Sequence, residues 1–574
     1  MKILSIHDGH NGSVGLFEDG KCLYAIQEER LTKKKNDMGF PINSVNTIMN
    51  NFSLNPSDID FVSFNGHHVP LPFNVKEISE VFKKSQQKTI TSSLKRIARR
   101  TPIGDIYRDR RKEERKRPIV KMGFKEKRII FIDHHLAHAS SAYFGSGWYE
   151  EKFGKILILT LDGGGDGLCA TVSIGENGNI TRLSETKDTE SLGNIYSRTT
   201  FMLGFKPWEH EYKIMGMAPY VSKKYSKDAY NKFSSYLNID NNDPTKFKRT
   251  IKEPTSLIYN RMRKDLEFQR FDSISRGLQD FTEDLIIRWI KNVVKKYKIY
   301  NLALSGGVFM NVKANKRIME LPEIENLFIF PSCGDETNIF GTAWYLYSKQ
   351  QLYNNEKIDI PFGPLYLGSD INDNNVENML KKEKRNLNIN YEYHKDISEY
   401  VGELVAENKI VARASGGMEF GARALGNRSI LSNASDLQNV QKINMAIKKR
   451  DFWMPFAPVI LQERADDYII NKKNIKAQYM ILSFDTTENR KDIIGAVHQA
   501  DLTARPQLID REWNPNYYDI VKKYEKETGY GGMMNTSFNL HGYPIVNDEK
   551  DALFVLRNSD LNYLQVGNYL IYRK

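Results

Sequence analysis

Residues 155–167 read KILILTLDGGGDG and continue directly into LCATVSIGENGNITRL at 168–183. Apolar runs alternate there with a Gly-rich acidic turn and a Gly-Asn turn, a pattern that predicts a β-meander. The start of the chain repeats this order in KILSI, SVGLF and KCLYAIQEE, at 2–6, 13–17 and 21–29. The sequence therefore predicts a duplicated β unit.

A duplicated unit whose acidic Gly turns face each other across a cleft is typical of the actin-like ATPase architecture, in which the turns bind phosphate and metal. Helical spacing of apolar residues follows in ISRGLQDFTEDLIIRWIKNVVKKY at 274–297. NLALSGGVFMNVKANKRI at 301–318 then predicts an apolar strand, a Gly pair and the start of a helix. Backbone N–H groups at such a helix start can receive a phosphate or a nucleotide. The fold class expected is α/β.

The length of 574 residues exceeds what one hydrophobic core usually supports. A Pro-, Gly- and Asn-rich stretch, NNEKIDIPFGPLYLGS at 354–369, marks the expected boundary. We therefore predict one domain at 1–355, with a basic insertion at 82–128, and an α/β domain at 366–574.

The spacing of the cysteines and the length of the apolar runs exclude several classes of protein. The three cysteines, Cys22, Cys169 and Cys333, are too widely spaced for a disulfide framework or a CxxC zinc site. The first apolar run is too short for a signal peptide, and no run approaches the roughly 20 residues that span a bilayer. We expect a cytoplasmic protein without membrane contact.

The net charge of +12 is concentrated in one segment. Between Phe82 and Arg128 there are 18 Lys/Arg and 5 Asp/Glu, so the rest of the chain is close to neutral. The run RDRRKEERKRP at 108–118 has the mixed signs of a solvated helix. An electropositive edge for a phosphorylated or polyanionic acceptor is the alternative. No interleaved aromatic residues support base stacking.

Histidines cluster in FIDHHLAHASSAYFGSG at 131–147. If this segment is helical, His134 and His138 lie four residues apart on one face, the spacing of paired metal ligands. Two imidazoles and a carboxylate suit a borderline metal such as iron or zinc, and the candidate carboxylates are Asp335 and Asp162. A structural or surface histidine pair is the alternative.

His10 lies in the first turn, HDGHNGS. An imidazole there could accept the proton of an attacking hydroxyl, because an alcohol is a poor nucleophile until a base takes its proton. A turn histidine that hydrogen-bonds its own loop is the alternative interpretation.

The C-terminal part carries cationic and small polar side chains in GGMEFGARALGNRSIL, INMAIKKRDFWMPFAPVIL, HQADLTARPQ and MMNTSFNLHGYPIV. Each arginine alone would be read as a surface charge. Together they predict a pocket for phosphorylated anions, built from Arg423, Arg428, Lys448, Arg450, Arg505, Asn535 and Ser537.

Ten strings occur in a fixed order along the chain: HNGS, DHHLAHA, DGGGDG, YKIMGMAPY, SGGVFMN, GDETN, MEFGARALGNRSI, PFAPV, TARPQ and NTSFN. In this combination the chain resembles the NodU/CmcH family of O-carbamoyltransferases, which includes antibiotic carbamoyltransferases. The resemblance extends from the first strand to LQVGNYLI at 564–571.

That resemblance implies an N-terminal actin-like (ASKHA) domain, similar to the tRNA threonylcarbamoyl transferases, and a C-terminal YrdC-like domain. The YrdC-like domain would make carbamoyl adenylate from carbamoyl phosphate and ATP, with Mg²⁺ accompanying ATP. The N-terminal domain would pass the carbamoyl group to the hydroxyl of a small acceptor, including a phosphorylated or nucleotide-like one. Making the adenylate in one site and consuming it in another would protect it from water.

Site roles follow from the same resemblance. His134 and His138, with Asp335 and Asp162, would hold Fe(II) or a similar divalent metal, and His10 would be the transfer base. Carbamoyl phosphate and ATP would contact Arg423, Arg428, Lys448, Arg450, Arg505, Asn535 and Ser537. The adenylate would bind in the N-terminal domain at Gly164, Gly165, Gly306, Gly307 and Asn311.

Two positions depart from the family pattern. Met454 stands where the family usually has Arg before PFAP, and Ala422 replaces the Pro of GPRALGNRS. Without that arginine the chain lacks one phosphate contact of the family pattern, for which Lys448 or Arg450 could substitute. Two further functions stay open: an actin-like sugar kinase or ATPase, and a carbamoyltransferase that modifies a nucleoside or nucleic acid, the less favoured partner. The sequence does not indicate an oligomeric state.

Overall fold

Two five-stranded sheets with the same strand order build the first part of the chain. The computed structural model describes residues 1–68, 80, 82–83, 102–383 and 388–574, with the backbone alone at 102–108. The first strands are, in chain order, β1 (Lys2–His7), β2 (Ser13–Glu18), β3 (Lys21–Gln27), β4 (Phe61–Asn65), β5 (Ile129–Ile132), β6 (Ile156–Gly165), β7 (Leu168–Glu176), β8 (Asn179–Lys187), β9 (Leu237–Ile239), β10 (Phe247–Arg249), β11 (Asn301–Ser305) and β12 (Asn326–Ile329).

One sheet has the order β3-β2-β1-β4-β5 and the other β8-β7-β6-β11-β12. In the first sheet, β1 pairs antiparallel with β2 and parallel with β4. In the second sheet, β6 pairs antiparallel with β7 and parallel with β11. The two predicted meanders are therefore confirmed, and the duplication extends to the whole sheet. Strands β9 and β10 form a separate ribbon.

The helices described in the chain lie around these sheets and the sheet of the second unit: Glu29–Thr32, Ile42–Asn51, Pro102–Lys121, His134–Gly145, Leu192–Met202, Glu211–Met217, Lys223–Ser234, Tyr259–Asp265, Phe271–Tyr297, Val312–Met319, Asn338–Tyr353, Asp373–Glu383, Ile397–Ala406, Leu437–Ile443, Ala465–Tyr468, Pro515–Thr528 and Glu549–Arg557. The predicted helices at 274–297 and in the histidine-rich segment are confirmed.

The helix His134–Gly145 packs on β6 and β11 and against the helix Asn338–Tyr353. At this crossing a Cβ on Gly341 would lie 1.8 Å from the Ala137 carbonyl oxygen. Glycine is therefore required for the two backbones to approach so closely. The strand β6 is buried over Ile156–Leu161, as expected for a central strand covered on both faces.

The chain packs into two compact units: Met1–Tyr24 with Asn36–Phe362, and Ala25–Lys35 with Gly363–Lys574. In the second unit a mixed sheet has the order β13-β22-β21-β14-β15-β20-β16-β19. The strands there are β13 (Ile389–Tyr393), β14 (Val411–Ala414), β15 (Arg428–Ser432), β16 (Ala457–Leu461), β17 (Phe484–Asp485), β18 (Thr503–Ala504), β19 (Gln507–Ile509), β20 (Gly532–Ser537), β21 (Tyr563–Val566) and β22 (Tyr569–Arg573).

The helices Ile397–Ala406 and Pro515–Thr528 pack together over this sheet. Their apolar faces form one core with strand residues such as Leu431, Val459 and Met533. Both units are mixed α/β, which confirms the predicted fold class.

Candidate functional site

The helix His134–Gly145 places two imidazoles on one face. Asp133 caps its N-terminus by accepting the Leu136 N–H at 2.8 Å. His134 and His138 follow one turn apart and are both buried. The Nδ1 of His134 faces Asn65 at 3.4 Å and that of His138 faces Ser305 Oγ at 3.1 Å. The Nε2 atoms of both rings therefore point to the same space.

Two carboxylates meet these rings. His134 Nε2 lies 3.2 Å from Asp162 Oδ2 and 3.5 Å from Asp335 Oδ1, and His138 Nε2 lies 3.2 Å from the same Asp335 oxygen. All four candidate ligand atoms lie within 4.8 Å of one another. The structure thus brings together the four residues that the sequence analysis grouped as metal ligands.

The charges of this cluster shift one another's protonation. Burial disfavours the charged form of His134, but Asp335 and Asp162 outweigh it and raise its pKa to about 9. The pKa of Asp162 falls to about 2, because the histidines outweigh burial and the repulsion from Asp335. A partly buried pair of carboxylates facing two imidazole nitrogens is also the donor set that borderline divalent metals prefer. The residues present fit such an ion.

The first turn lies beside the cluster. His10 Nδ1 is 3.7 Å from Asp335 Oδ2, and the His10 side chain keeps 30% exposure. Burial lowers the pKa of His7 to about 4, so His7 is neutral. Its Nε2–H donates to the His10 carbonyl at 3.0 Å, and its Nδ1 lies 3.2 Å from Asn65 Nδ2. His10 is therefore held at its backbone while its ring stays accessible.

The glycines predicted to bind the adenylate lie around the same cluster of histidines and carboxylates. A Cβ on Gly165 would lie 2.2 Å from the His134 ring, and one on Gly306, where φ is +113°, would lie 2.4 Å from the Leu161 carbonyl oxygen. Gly307 donates its N–H to Asp162 Oδ1 at 3.1 Å. Gly164 has φ +151° and packs against Asp188. These glycines let backbone approach the cluster closely.

In the second unit, Lys448 is 3% exposed and reaches the loop after β20. Its ammonium donates to Ser537 Oγ at 3.1 Å and to Asn539 Oδ1 at 2.8 Å. Burial, with Arg450 and Lys35 nearby, lowers its pKa well below the ordinary value. The positive potential at this lysine favours binding of an anion.

Three arginines continue this positive region. Burial and the charges of Arg423 and Arg450 lower the pKa of Arg505 well below its ordinary value. Arg450 stacks on Phe456 of the PFAPV motif, with the guanidinium carbon 4.9 Å from the ring centroid. The side-chain amide of Asn535 donates to the Ala424 carbonyl at 3.1 Å and so contacts the segment that carries Arg423. Like-charged groups packed together in this way favour a bound anion.

The comparisons with known proteins agree with this geometry. A family described as "Carbamoyltransferase N-terminus" matches residues 2–344, and one described as "Carbamoyltransferase C-terminus" matches residues 402–573. This chain belongs to the carbamoyltransferase family. It is a carbamoyltransferase enzyme.

The carbamoyltransferase has relatives over nearly its full length. An uncharacterized protein of Methanocaldococcus jannaschii is 33% identical, with 99% of each chain covered. The nodulation protein NolNO of Sinorhizobium fredii is 28% identical over 98% of this chain and 79% of its own. Among solved structures, component A of the (R)-2-hydroxyglutaryl-CoA dehydratase of Acidaminococcus fermentans is 14% identical, covers 61% of this chain and 98% of its own, and has a TM-score of 0.34.

Two predicted site residues of the carbamoyltransferase have other partners. The fully buried Arg428 donates to backbone carbonyls of Ser369, Ser415, Gly416, Asn427 and Asn547 at 2.8–3.2 Å. The side chain of Asn311 caps the helix Val312–Met319 and exchanges hydrogen bonds with Gln279 at 2.9 Å. In the structure, Arg428 therefore holds backbone carbonyls and Asn311 holds a helix start and Gln279.

Sequence reasoning missed several residues around the cluster. Asp166, the second acidic residue of DGGGDG, accepts the N–H groups of His67, His68 and His134 at 2.9–3.0 Å. Its place in the Gly-rich DGGGDG turn was the signal available in the sequence. Trp208 lies beside the first turn, with its ring centroid 5.1 Å from that of His10.

Two cations of the basic helix (Pro102–Lys121) of the carbamoyltransferase pair with nearby carboxylates at the surface. Arg110, 78% exposed, lies 3.4 Å from Glu114, and Lys116 lies 2.6 Å from Glu113 and 3.0 Å from Glu126. This pairing agrees with the solvated-helix interpretation. The rest of the predicted basic insertion lies mostly outside the described residues. In the part of the chain that is described, no helix has both the length and the apolar character needed to cross a bilayer.

Proposed function

We propose that this carbamoyltransferase is ATP-dependent and transfers a carbamoyl group to a hydroxyl of a small acceptor. The observation that carries the proposal is the positive region of the second unit, in which Lys448 is 3% exposed, Arg450 stacks on Phe456, and burial with the nearby cations lowers the pKa values of Lys448 and Arg505. Such a region suits two phosphorylated substrates bound side by side, here carbamoyl phosphate and ATP.

In the second unit the proposed reaction is adenylate formation. Water releases phosphate from carbamoyl phosphate, an oxygen of the resulting carbamate attacks the α-phosphorus of ATP, and pyrophosphate leaves. Lys448 and Arg505 would hold the phosphoryl oxygens and offset the charge that develops on them. Arg450, beside the PFAPV motif, would supply the cation that Met454 does not.

In the first unit the proposed reaction is transfer. The acceptor oxygen attacks the carbamoyl carbon of the adenylate, AMP leaves, and His10 takes the hydroxyl proton. The exposure of the His10 ring supports this role, because the rings of His134 and His138 are closed to an acceptor. A divalent metal such as Fe(II), held by His134, His138, Asp162 and Asp335, would polarise the carbamoyl oxygen as a Lewis acid.

The same proposal extends to the folds. The repeated sheet order of the first unit supports an actin-like domain, and the mixed sheet, with the cationic residues on the segments that connect its strands, supports a YrdC-like role for the second. The sequence resemblance supports both assignments.

The test uses the full chain with ATP and carbamoyl phosphate. We expect carbamoyl-phosphate-dependent release of pyrophosphate, reduced about 100-fold or more in Arg505→Met, since a phosphate-binding arginine contributes a few kcal/mol. Arg511→Met is the matched control, because Arg511 is 70% exposed and pairs with Asp519 at the surface. His10→Asn should release pyrophosphate normally and form no carbamoylated product. A wild-type protein that releases no pyrophosphate would disprove the ATP-dependent mechanism.

A further inference from the structure

The guanidinium of Arg115 lies inside the first unit although it belongs to the basic helix. The side chains of Arg115 and Asp8 are both 0% exposed. The Nε and Nη2 of Arg115 donate to the two carboxylate oxygens of Asp8 at 2.8 and 2.7 Å. A bidentate pair of this kind fixes both side chains in orientation as well as in distance.

The other donors of Arg115 hold the end of β4. Its Nη1 donates to the Gly66 carbonyl at 2.6 Å and its Nη2 to the Asn65 carbonyl at 2.8 Å. The guanidinium carbon also lies near the rings of Phe64 and Phe131, 5.4 and 4.9 Å from their centroids. The side chain of Asn65 in turn contacts His7 and His134. One guanidinium therefore joins the first turn to the strand end beside the histidine cluster.

Asp8 is two residues from His10, and the turn between them is tight. A Cβ on Gly9 would lie 2.7 Å from the His7 ring, so the backbone of the turn packs directly on that ring. His7 holds the His10 carbonyl from one side, and the Asp8–Arg115 pair holds the turn from the other. Both contacts therefore act on the backbone of the turn that carries His10.

We propose that Arg115 is a positioning residue for carbamoyl transfer, which acts through Asp8 on the turn that carries His10. The inference rests on the function proposed above. A buried ion pair contributes little net stability compared with apolar residues of the same size, because both charges lose their hydration. Its location under the first turn is better explained by orientation of the turn. The paired surface charges of the same helix have no such contact.

The experiment compares Arg115→Met and Arg115→Lys with Arg110→Met in the full chain. Arg110 is on the same helix and is exposed, so Arg110→Met makes the same change in charge and length without touching the turn. We expect Arg115→Met to lower kcat for transfer about 100-fold, the effect of a small misplacement of a reacting group. The KM values for ATP and carbamoyl phosphate and the rate of pyrophosphate release should stay unchanged. Arg115→Lys should restore part of the transfer rate.

Transfer is read with glucose, N-acetylglucosamine and adenosine as probe acceptors, by the mass gain of one carbamoyl group. A second readout needs no carbamoyl chemistry: the rate at which diethyl pyrocarbonate modifies His10, followed by peptide mass spectrometry. That rate should change in Arg115→Met and not in Arg110→Met.

Equal transfer rates and equal His10 modification in the two variants would overturn the proposal. A parallel loss of pyrophosphate release and thermal stability in Arg115→Lys, which keeps a cation beside the buried Asp8, would also overturn it, in favour of a purely structural role. If the wild type releases no pyrophosphate, the proposed function fails, and the His10 modification rate still decides whether Arg115 sets the turn.

Discussion

The guanidinium of Arg30 donates a 2.7 Å hydrogen bond to the carbonyl oxygen of Gly421, 391 positions further along the chain. The Oε1 of Gln27 accepts the Gly421 N–H at 3.2 Å. Both polar groups of this glycine, which has φ +103°, are thus held by the segment Ala25–Lys35 of the same unit. Because Arg423 follows two residues later, this contact fixes the backbone that carries a proposed phosphate ligand.

Arg30→Lys should therefore weaken binding of carbamoyl phosphate. A lysine keeps the charge beside Glu29 but cannot reproduce the planar guanidinium that reaches Gly421 and Gln27 together. We expect the KM for carbamoyl phosphate to rise about tenfold in this variant, which corresponds to a loss of roughly 1.4 kcal/mol in binding free energy. The measurement is pyrophosphate release against carbamoyl phosphate concentration. Lys34→Met, an exposed change in the same segment, should leave the KM unchanged. Equal KM values in the two variants would show that the contact does not position Arg423.

Trp208 should contribute to acceptor binding. Its ring lies 5.1 Å from the His10 ring at an interplanar angle of 34°, on a backbone with φ +63° that a tryptophan rarely adopts. We expect Trp208→Ala to raise the acceptor KM about tenfold, because a large contact surface is lost. Pyrophosphate release should not change. Trp148→Ala serves as the control in the same unit. If Trp208→Ala reduced pyrophosphate release as much as it weakened acceptor binding, a role at the acceptor would be contradicted.

The local chemistry was predictable where a motif and an element coincide. The spacing of His134 and His138 on a helix needs no tertiary information, and neither does the meander around the DGGGDG turn. Asp162 and Asp335 were candidate carboxylates from their motifs, but their closeness to each other was not predictable, because Asp162 lies in β6 and Asp335 in the helical turn Asp335–Thr337 after β12, and no sequence spacing connects them.

The direction in which a charged side chain points was not predictable. Arg115 and Arg110 occur in one run of mixed charges, yet one is buried under the first turn and the other is in solvent. Arg428 follows a Gly-rich turn, a position typical of a residue that binds a ligand. In the structure its N–H groups instead donate to backbone carbonyls. Both outcomes depend on which polar groups the fold leaves unpaired, and those are set by distant segments.

Glu211 should make stability depend on pH. Its Oε1 accepts the Trp208 N–H at 2.8 Å, and burial raises its pKa to about 7 from an ordinary 4.5. The folded state therefore binds more protons than the unfolded state between those values. This contribution is fully present below about pH 4.5 and is lost as pH rises through about 7.

Glu211→Gln should remove that dependence. A pKa shift of this size corresponds to at most about 3 kcal/mol in the free energy of unfolding, and the partial exposure of Glu211 reduces that figure. We therefore expect Glu211→Gln to be more stable than the wild type by about 2 kcal/mol above about pH 8. The measurement is the difference in thermal unfolding midpoint between about pH 5 and about pH 8. Glu151→Gln, at an exposed site, should keep the wild-type difference. An unchanged difference in Glu211→Gln would rule out Glu211 as its source.

Gly165→Ala should disrupt the proposed metal site. The added Cβ would lie 2.2 Å from Cγ and Cδ2 of His134. That ring cannot simply retreat, because Asn65 faces its Nδ1 and Asp162 its Nε2. Gly163 is in the same turn and a Cβ there meets no atom within 4 Å in the described structure, so Gly163→Ala is a matched control. Zn²⁺ titrated into metal-free protein should bind about 10- to 100-fold more weakly to Gly165→Ala and normally to Gly163→Ala, as measured by calorimetry. Equal affinities would mean that His134 is not a ligand.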